Sequence, residues 1–234
     1  MAILIHGKNP IYEAIKANRK IYELYVMDKQ SSELSDMLGS RSIKITTLPK
    51  QKMNQMFPQA HQGIGALVED YQTVTLEAAL NKPDKKRFIM LDSVEDPHNL
   101  GAVLRTADAF SMSGVIIPKH RSATITPTVV KVSTGAIEYV DIISVSNLNQ
   151  AIKTLKENNV WVVGTDLDTD NTLDAIQEDT DLCIVFGSEG KGLSRLVKEN
   201  CDYLVKIPMT GHVNSLNVSV SCGIVMHEIV RRKG

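Results

Sequence analysis

The sequence predicts an α/β protein: a mainly parallel sheet with helices on both faces, preceded by a small α/β unit. Three features carry this. From Arg87 onward, short apolar runs alternate with segments of helical periodicity, the pattern of strands joined by crossover helices. The first seventy residues repeat that alternation in shorter pieces. Between them, the polar stretch Asn81-Lys82-Pro83-Asp84-Lys85-Lys86 interrupts the pattern and reads as linker. The expected organisation is a first domain over residues 1–72, a linker over 73–86 and a second domain over 87–234.

In the first unit, Asn9-Pro10 reads as an N-cap followed by proline at the first helical position, opening a helix to about Asn18. Tyr22–Met27 reads as a strand, Ser32–Leu38 as a helix and Ile43–Leu48 as a strand. Pro49 opens a short helix, and Ile64–Glu69 is a last strand. A short helix fits Leu76–Leu80, just ahead of the linker stretch. In the second domain, strands read at Phe88–Leu91, Val115–Ile117, Val140–Val145, Trp161–Gly164, Leu182–Phe186 and Tyr203–Ile207. Helices read at Asn99–Ser111, Pro127–Ser133, Leu148–Asn158, Leu193–Glu199 and Asn217–Arg231. Trp161, inside an apolar run, reads as core.

Composition narrows the class. Hydrophobic content of 43% is that of a folded soluble chain, and no run approaches a membrane span. The three cysteines form no CxxC pair and the six histidines show no metal-ligand spacing, so neither a disulfide framework nor a metal site is expected. The N-terminus has no secretory signature, and a cytoplasmic protein is expected. A net charge of −1 argues against coating nucleic acid through bulk charge. Local basic patches remain: Lys82 with Lys85-Lys86-Arg87, Lys119-His120-Arg121, and Arg231-Arg232-Lys233, the last also suited to the dipole of the final helix.

Three constellations can carry chemistry. In the first, a strand runs through Asp92 into Asn99-Leu100-Gly101-Ala102-Val103-Leu104-Arg105. Arg105 there lies about 140° from the apolar stripe of its helix. Asn99 is either a helix cap or a site residue, and Arg105 either an exposed helix arginine or a ligand-binding one. In the second, the strand ending at Phe186 enters Gly187-Ser188-Glu189-Gly190-Lys191-Gly192. Its glycines permit close approach of a ligand. The spacing is neither GxxxxGK[ST] nor GxGxxG, so no nucleotide-phosphate motif is present. Glu189 either binds a ligand or decorates a tight turn. The third runs from Ile207-Pro208-Met209 to Ser215-Leu216-Asn217-Val218-Ser219. Ser219, Gly223 and His227 recur on one side of its helix, and Asn217 is a natural N-cap. Loops at neighbouring strand ends form ligand crevices in open α/β sheets.

Taken together, these stretches resemble the three motifs of the SpoU (TrmH-like) class of RNA ribose 2′-O-methyltransferases, in order and spacing, over roughly residues 87–231. His6-Gly7-Lys8-Asn9-Pro10-Ile11-Tyr12-Glu13-Ala14 and His61-Gln62-Gly63-Ile64-Gly65-Ala66 resemble the substrate-binding domain of RlmB-like members, which has a ribosomal-protein-like RNA-binding fold. The resemblance implies S-adenosylmethionine as donor, no metal, RNA as partner, a homodimer, and a trefoil knot in the catalytic domain. Carried over by position, it implies Arg105, Asn99, Glu189, Ser215 and Asn217 as catalytic residues. It implies a cofactor lying against Gly187, Ile207 and Leu216, with Thr165, Met209 and Gly190 nearby. Arg105 would clamp a phosphate and orient the hydroxyl, since its pKa makes it a poor base.

The implied reaction is methylation of a guanosine ribose in large-subunit (23S) ribosomal RNA. The alternatives are a transfer-RNA guanosine 2′-O-methyltransferase, and a non-catalytic RNA-binding or ribosome-assembly factor on the same scaffold.

Overall fold

Strands form where aliphatic residues run about five long, and helices start where a side chain or turn can cap them. The structure, a computed structural model, describes residues 2–27, 32–39, 41–57, 60–120, 122–177 and 179–232. Arg121 and Lys233, named above in basic patches, lie outside them. By packing, the described chain divides into two units, Met1–Gln72 with Ile125–Tyr139, and Thr73–Thr124 with Val140–Gly234.

The first unit has a four-stranded sheet in the order β1-β4-β2-β3. Its strands are β1 (Ala2–His6), β2 (Ile21–Val26), β3 (Lys44–Thr47) and β4 (Ile64–Glu69). β4 runs antiparallel to both neighbours, and β2 pairs with β3 in parallel. Helices α1 (Lys8–Lys16), α2 (Ser32–Leu38) and α3 (Lys50–Met56) join them. β1 escaped the sequence reading. The cap of α1 is corrected too. The helix starts after Gly7, whose φ is 97°, and the Gln62 side chain accepts the Lys8 N–H at 2.9 Å. Asn9 and Pro10 fall inside the first turn.

The segment 125–139 belongs to this unit by its packing, although in the chain it follows the linker. It forms a short helix at Pro127–Val132 and a 3₁₀ turn at Ala136–Glu138. The buried Glu138 carboxylate accepts two bonds from Arg19 Nε, at 2.9 and 2.8 Å, and one from the Tyr71 hydroxyl at 2.8 Å. Tyr139 donates to Glu13 at 2.8 Å, and Lys131 to the Ala60 carbonyl at 3.0 Å.

His6 is buried in this unit, and burial, then the nearby Lys131 and His61, push its pKa below the ordinary 6.5. The fold therefore holds it neutral, while the unfolded chain takes up a proton. Its contribution to stability is present above about pH 6.5 and is lost as pH falls through that value. The melting temperature should drop between about pH 7.5 and pH 5.5, and His6→Asn should reduce that drop. An unchanged drop in the variant would show that His6 does not report the pH.

The second unit carries a six-stranded sheet in the order β10-β8-β9-β5-β6-β7. Its strands are β5 (Arg87–Leu91), β6 (Gly114–Pro118), β7 (Asp141–Val145), β8 (Trp161–Thr165), β9 (Leu182–Phe186) and β10 (Tyr203–Val205). Each pairing is parallel. Every residue of the central β5 and β9 is buried, as a sheet covered on both faces requires. The flanking elements are α4 (Leu76–Leu80), α5 (Pro97–Ala109), α7 (Leu148–Glu157), α8 (Arg195–Asn200) and α9 (Val218–Arg231), with α6 the Pro127–Val132 helix of the first unit. Trp161 is 41% exposed, which corrects its reading as core. It opens β8 and its ring tilts against Tyr203, with centroids 6.3 Å apart. Among the described residues no helix is long and apolar enough to cross a membrane, and no group of three His, Cys, Asp or Glu could hold a metal.

Candidate functional site

Loops leaving the carboxyl ends of β8, β9 and β10 line a cavity of about 470 Å³. It thus lies outside the carboxyl ends of three neighbouring strands, in the order β10-β8-β9. That is where open α/β sheets bind ligands. Thr165 to Leu167, Phe186 to Gly192, and residues between Val205 and Ser221 form its wall.

The turn after β9 is shaped by its glycines. Ser188 and Gly192 face each other in an antiparallel bridge, and the Gly192 N–H donates to the Ser188 carbonyl at 2.9 Å. Gly190 and Gly192 have φ of 79° and 67°. A side chain on Gly187 would collide with the Gly192 backbone at 2.0 Å. Glu189 therefore projects from the tip of a narrow loop.

Its carboxylate meets the starts of two helices. α5 begins under an Asp96 cap, whose Oδ1 accepts the His98 N–H at 2.8 Å, with Pro97 at the first position. Asn99 thus lies inside the first turn, which removes the cap from its two readings and leaves its amide free for other partners. Asn217 is the cap of α9, and its Oδ1 accepts from the Ser219 and Val220 N–H groups at 3.0 and 3.4 Å. Its amide nitrogen remains available. Glu189 Oε1 accepts from Asn99 Nδ2 at 3.1 Å, from Asn217 Nδ2 at 2.5 Å and from the Val218 N–H at 3.4 Å. Asn217 Nδ2 also donates to Asn99 Oδ1 at 3.0 Å. A carboxylate at a helix N-terminus is favoured by the dipole as well as by these bonds.

Packing of α9 on α5 brings the two helix starts together. A Cβ on Gly223 would touch Thr106 at 3.8 Å, and His227 sits edge-on to Phe110 with centroids 5.9 Å apart. The contacts ascend together along both helices, so the axes run the same way and their N-termini meet at Glu189. The small side of α9 is thus a packing surface.

Of the residues singled out in the sequence, Gly187, Glu189, Gly190, Thr165, Ile207, Met209, Ser215 and Leu216 all line the cavity. Asn99 and Asn217 join it through Glu189. Arg105 is not drawn in: it is exposed, and no hydrogen bond or ion pair engages it among the described residues. The sequence reading missed Asp166, Leu167 and Asn214 in the cavity wall. Leu167 left one signal, a leucine in the polar run after β8 that stays 55% exposed. The sequence reading placed Asp92 in the first constellation without a role, and the structure buries it.

Two family models match successive parts of the chain. Residues 86–227 match the model of the SpoU rRNA Methylase family, and residues 4–74 match that for RNA 2′-O ribose methyltransferase substrate binding. The chain is similar to YacO of Bacillus subtilis (strain 168), named for the TrmH family of tRNA/rRNA methyltransferases: 41% identity over 97% of this chain and 94% of that protein. A like-named protein of Staphylococcus epidermidis is 43% identical over 99% and 96%. Among solved structures, the SpoU methyltransferase AviRb from Streptomyces viridochromogenes, in complex with AdoMet, superposes with a TM-score of 0.86 at 22% identity, over 99% and 90% of the chains. The A. aeolicus TrmH/SpoU tRNA modifying enzyme gives 0.59 at 28%, over 68% and 80%.

Proposed function

The chain belongs to the SpoU family of RNA methyltransferases, and we propose that it moves the methyl group of S-adenosylmethionine onto a ribose 2′-hydroxyl, that of a guanosine in large-subunit (23S) ribosomal RNA. One observation carries this reading: Glu189 both lines the cavity and bonds Asn99 and Asn217. The cavity suits the donor in size, within the range of about 300–1,000 Å³ of small-molecule sites. Its wall combines apolar side chains such as Leu216, Met209 and Ile207 with glycine backbone and the Glu189 carboxylate. S-adenosylmethionine, when bound, supplies a methyl carbon activated by its sulfonium leaving group.

The protein's part is to hold and orient. Gly187, Gly190, Ile207 and Leu216 offer backbone to the cofactor, with Thr165 and Met209 beside them. Asn99, Glu189 and Asn217 fix the shape of the pocket where the ribose enters. Ser215 and Asn217 hold the loop around the target nucleotide. Arg105 binds the adjacent phosphate and orients the 2′-hydroxyl. The 2′-oxygen loses its proton as it takes the methyl group, so an acceptor must stand at that proton. Alignment supplies much of the rate.

In this reading residues 1–72 bind the RNA, the second domain over 87–234 carries out the transfer, and the enzyme works in the cytoplasm as a homodimer. Val220 and Ile224, one turn apart on α9, are 50% and 38% exposed, an apolar pair suited to a partner subunit. The trefoil knot of the family agrees with the return of the chain from the edge strand β10 to the wall of the same cavity.

Glu189→Ala removes the acceptor shared by Asn99, Asn217 and Val218, and is expected to slow methyl transfer about 100-fold. Unchanged turnover with labelled donor would remove Glu189 from the site. The target is tested by incubating the protein and labelled S-adenosylmethionine with ribosomal and transfer RNA from a strain lacking the gene, then mapping 2′-O-methyl sites. A guanosine in large-subunit rRNA is expected. Labelling of tRNA alone would move the substrate to tRNA. No labelling and no donor binding would leave the RNA-binding factor as the reading.

A further inference from the structure

Asp92 follows β5, and its residue is 5% exposed. A buried carboxylate is costly unless its oxygens are bonded. No ion pair engages Asp92 among the described residues. Its bonds go instead to the two ends of one loop. The Asp92 N–H donates to the Phe186 carbonyl at 2.8 Å, where the loop leaves β9. Asp92 Oδ2 accepts the Ser194 N–H at 2.7 Å, where the loop enters α8. The other oxygen, Oδ1, accepts the Ser93 hydroxyl at 3.0 Å. Ser93 is in the left-handed region with φ of 62°, so the chain turns sharply to keep its hydroxyl at this carboxylate.

The loop closed in this way is 187–193, which carries Glu189 and forms one wall of the cavity. Within it, Ser188 and Gly192 make the inner bridge. Outside it, Leu193 packs into the core, and among the described residues the side-chain hydrogen bond to the loop's far end is that of Asp92, since Ser194 caps α8 without a side-chain bond of its own. We infer that Asp92 is the positioning residue of the cofactor-binding turn, holding both of its ends so that Glu189 stands at the starts of α5 and α9. The inference rests on the proposed S-adenosylmethionine site. Asp92 touches neither the cavity nor Glu189, and acts only through the turn.

Three variants test this by titration calorimetry with S-adenosylmethionine, alongside thermal melting. Asp92→Ala removes the acceptor and should weaken donor binding at least about tenfold at temperatures where the variant is folded. Asp92→Asn keeps an oxygen for the Ser194 N–H, and the Ser93 hydroxyl can rotate to accept from the new amide, so binding should return to near the parent value. Should Asp92→Ala not fold, Ser194→Pro removes the N–H and sets a ring carbon against the Asp92 carboxylate in its place; Ser194 has φ of −63°, which proline adopts, and the same loss is expected. Parent-like affinity in folded Asp92→Ala, or in Ser194→Pro, would overturn the inference. So would equal loss in Asp92→Asn and Asp92→Ala, which would make charge and not the bond the cause. Failure of the parent protein to bind the donor would instead strike at the cofactor site itself.

Discussion

An Arg105→Ala variant should bind S-adenosylmethionine as the parent does and transfer its methyl group about a thousandfold more slowly. The two halves of this result follow from one feature: Arg105 is exposed and engages no hydrogen bond or ion pair among the described residues, so its removal opens no core and breaks no network. Surface changes of that kind usually move stability by less than about 0.5 kcal/mol. The residue does not line the cavity, so donor affinity should not change. An arginine left unpaired six residues after Asn99, on the helix whose start bonds Glu189, is placed to meet an anion that arrives with the substrate. A guanidinium can grip two phosphate oxygens at once, which orients as well as attracts. Lysine at this position should restore attraction but not alignment, and recover only part of the rate. Calorimetry with the donor and single-turnover methylation of RNA separate the two quantities. A variant with parent-like turnover would remove Arg105 from the reaction, and one that lost donor affinity would put it in the cofactor pocket.

The sheet of the second unit was legible because its strands are buried from both sides and read as continuous apolar runs. Leu182–Phe186 is the clearest, and its bounds match the sequence reading. Helix starts were less legible, since several residues in a row can cap. Asp96, Asn99 and the Asn9-Pro10 pair all carry suitable chemistry, and only packing decides among them. At α1 a glutamine from a distant loop took the role. At α5 the aspartate before proline took it, which released Asn99 to bond Glu189 and Asn217. The choice between cap and site residue was a false one for Asn217, whose oxygen caps while its nitrogen reaches the cluster. Trp161 was misread because an apolar neighbourhood in sequence says nothing about which end of a strand meets solvent. The segment 125–139 shows the same limit at larger scale: Val129 and Val130 announce a buried face, but not which unit buries it.

Gly187→Ala should cost the most of any single methyl group added to the cavity wall. A Cβ there would lie 2.0 Å from the Gly192 carbonyl carbon, 2.2 Å from its oxygen and 2.3 Å from the Leu193 nitrogen. These are backbone atoms, so no side chain can swing aside. Neither end of the turn is free to yield, because Phe186 is buried in β9 and Ser194 is bonded to Asp92. The loop must open by about 1 Å, a shift of the size that costs about 100-fold in rate when it reaches reacting groups. Overpacking of this kind costs about 1–3 kcal/mol of stability. Donor affinity should fall at least about 100-fold, since the displaced backbone is the wall itself. Gly63→Ala, outside the cavity, is the control: its φ of 79° strains any other residue by about 1 kcal/mol, yet a Cβ there meets only the Met27 Cβ at 3.9 Å. It should lose a similar share of stability and keep donor affinity within a few-fold. Equal affinities in the two variants, with both folded, would mean that strain alone and not the closeness of the turn governs the site.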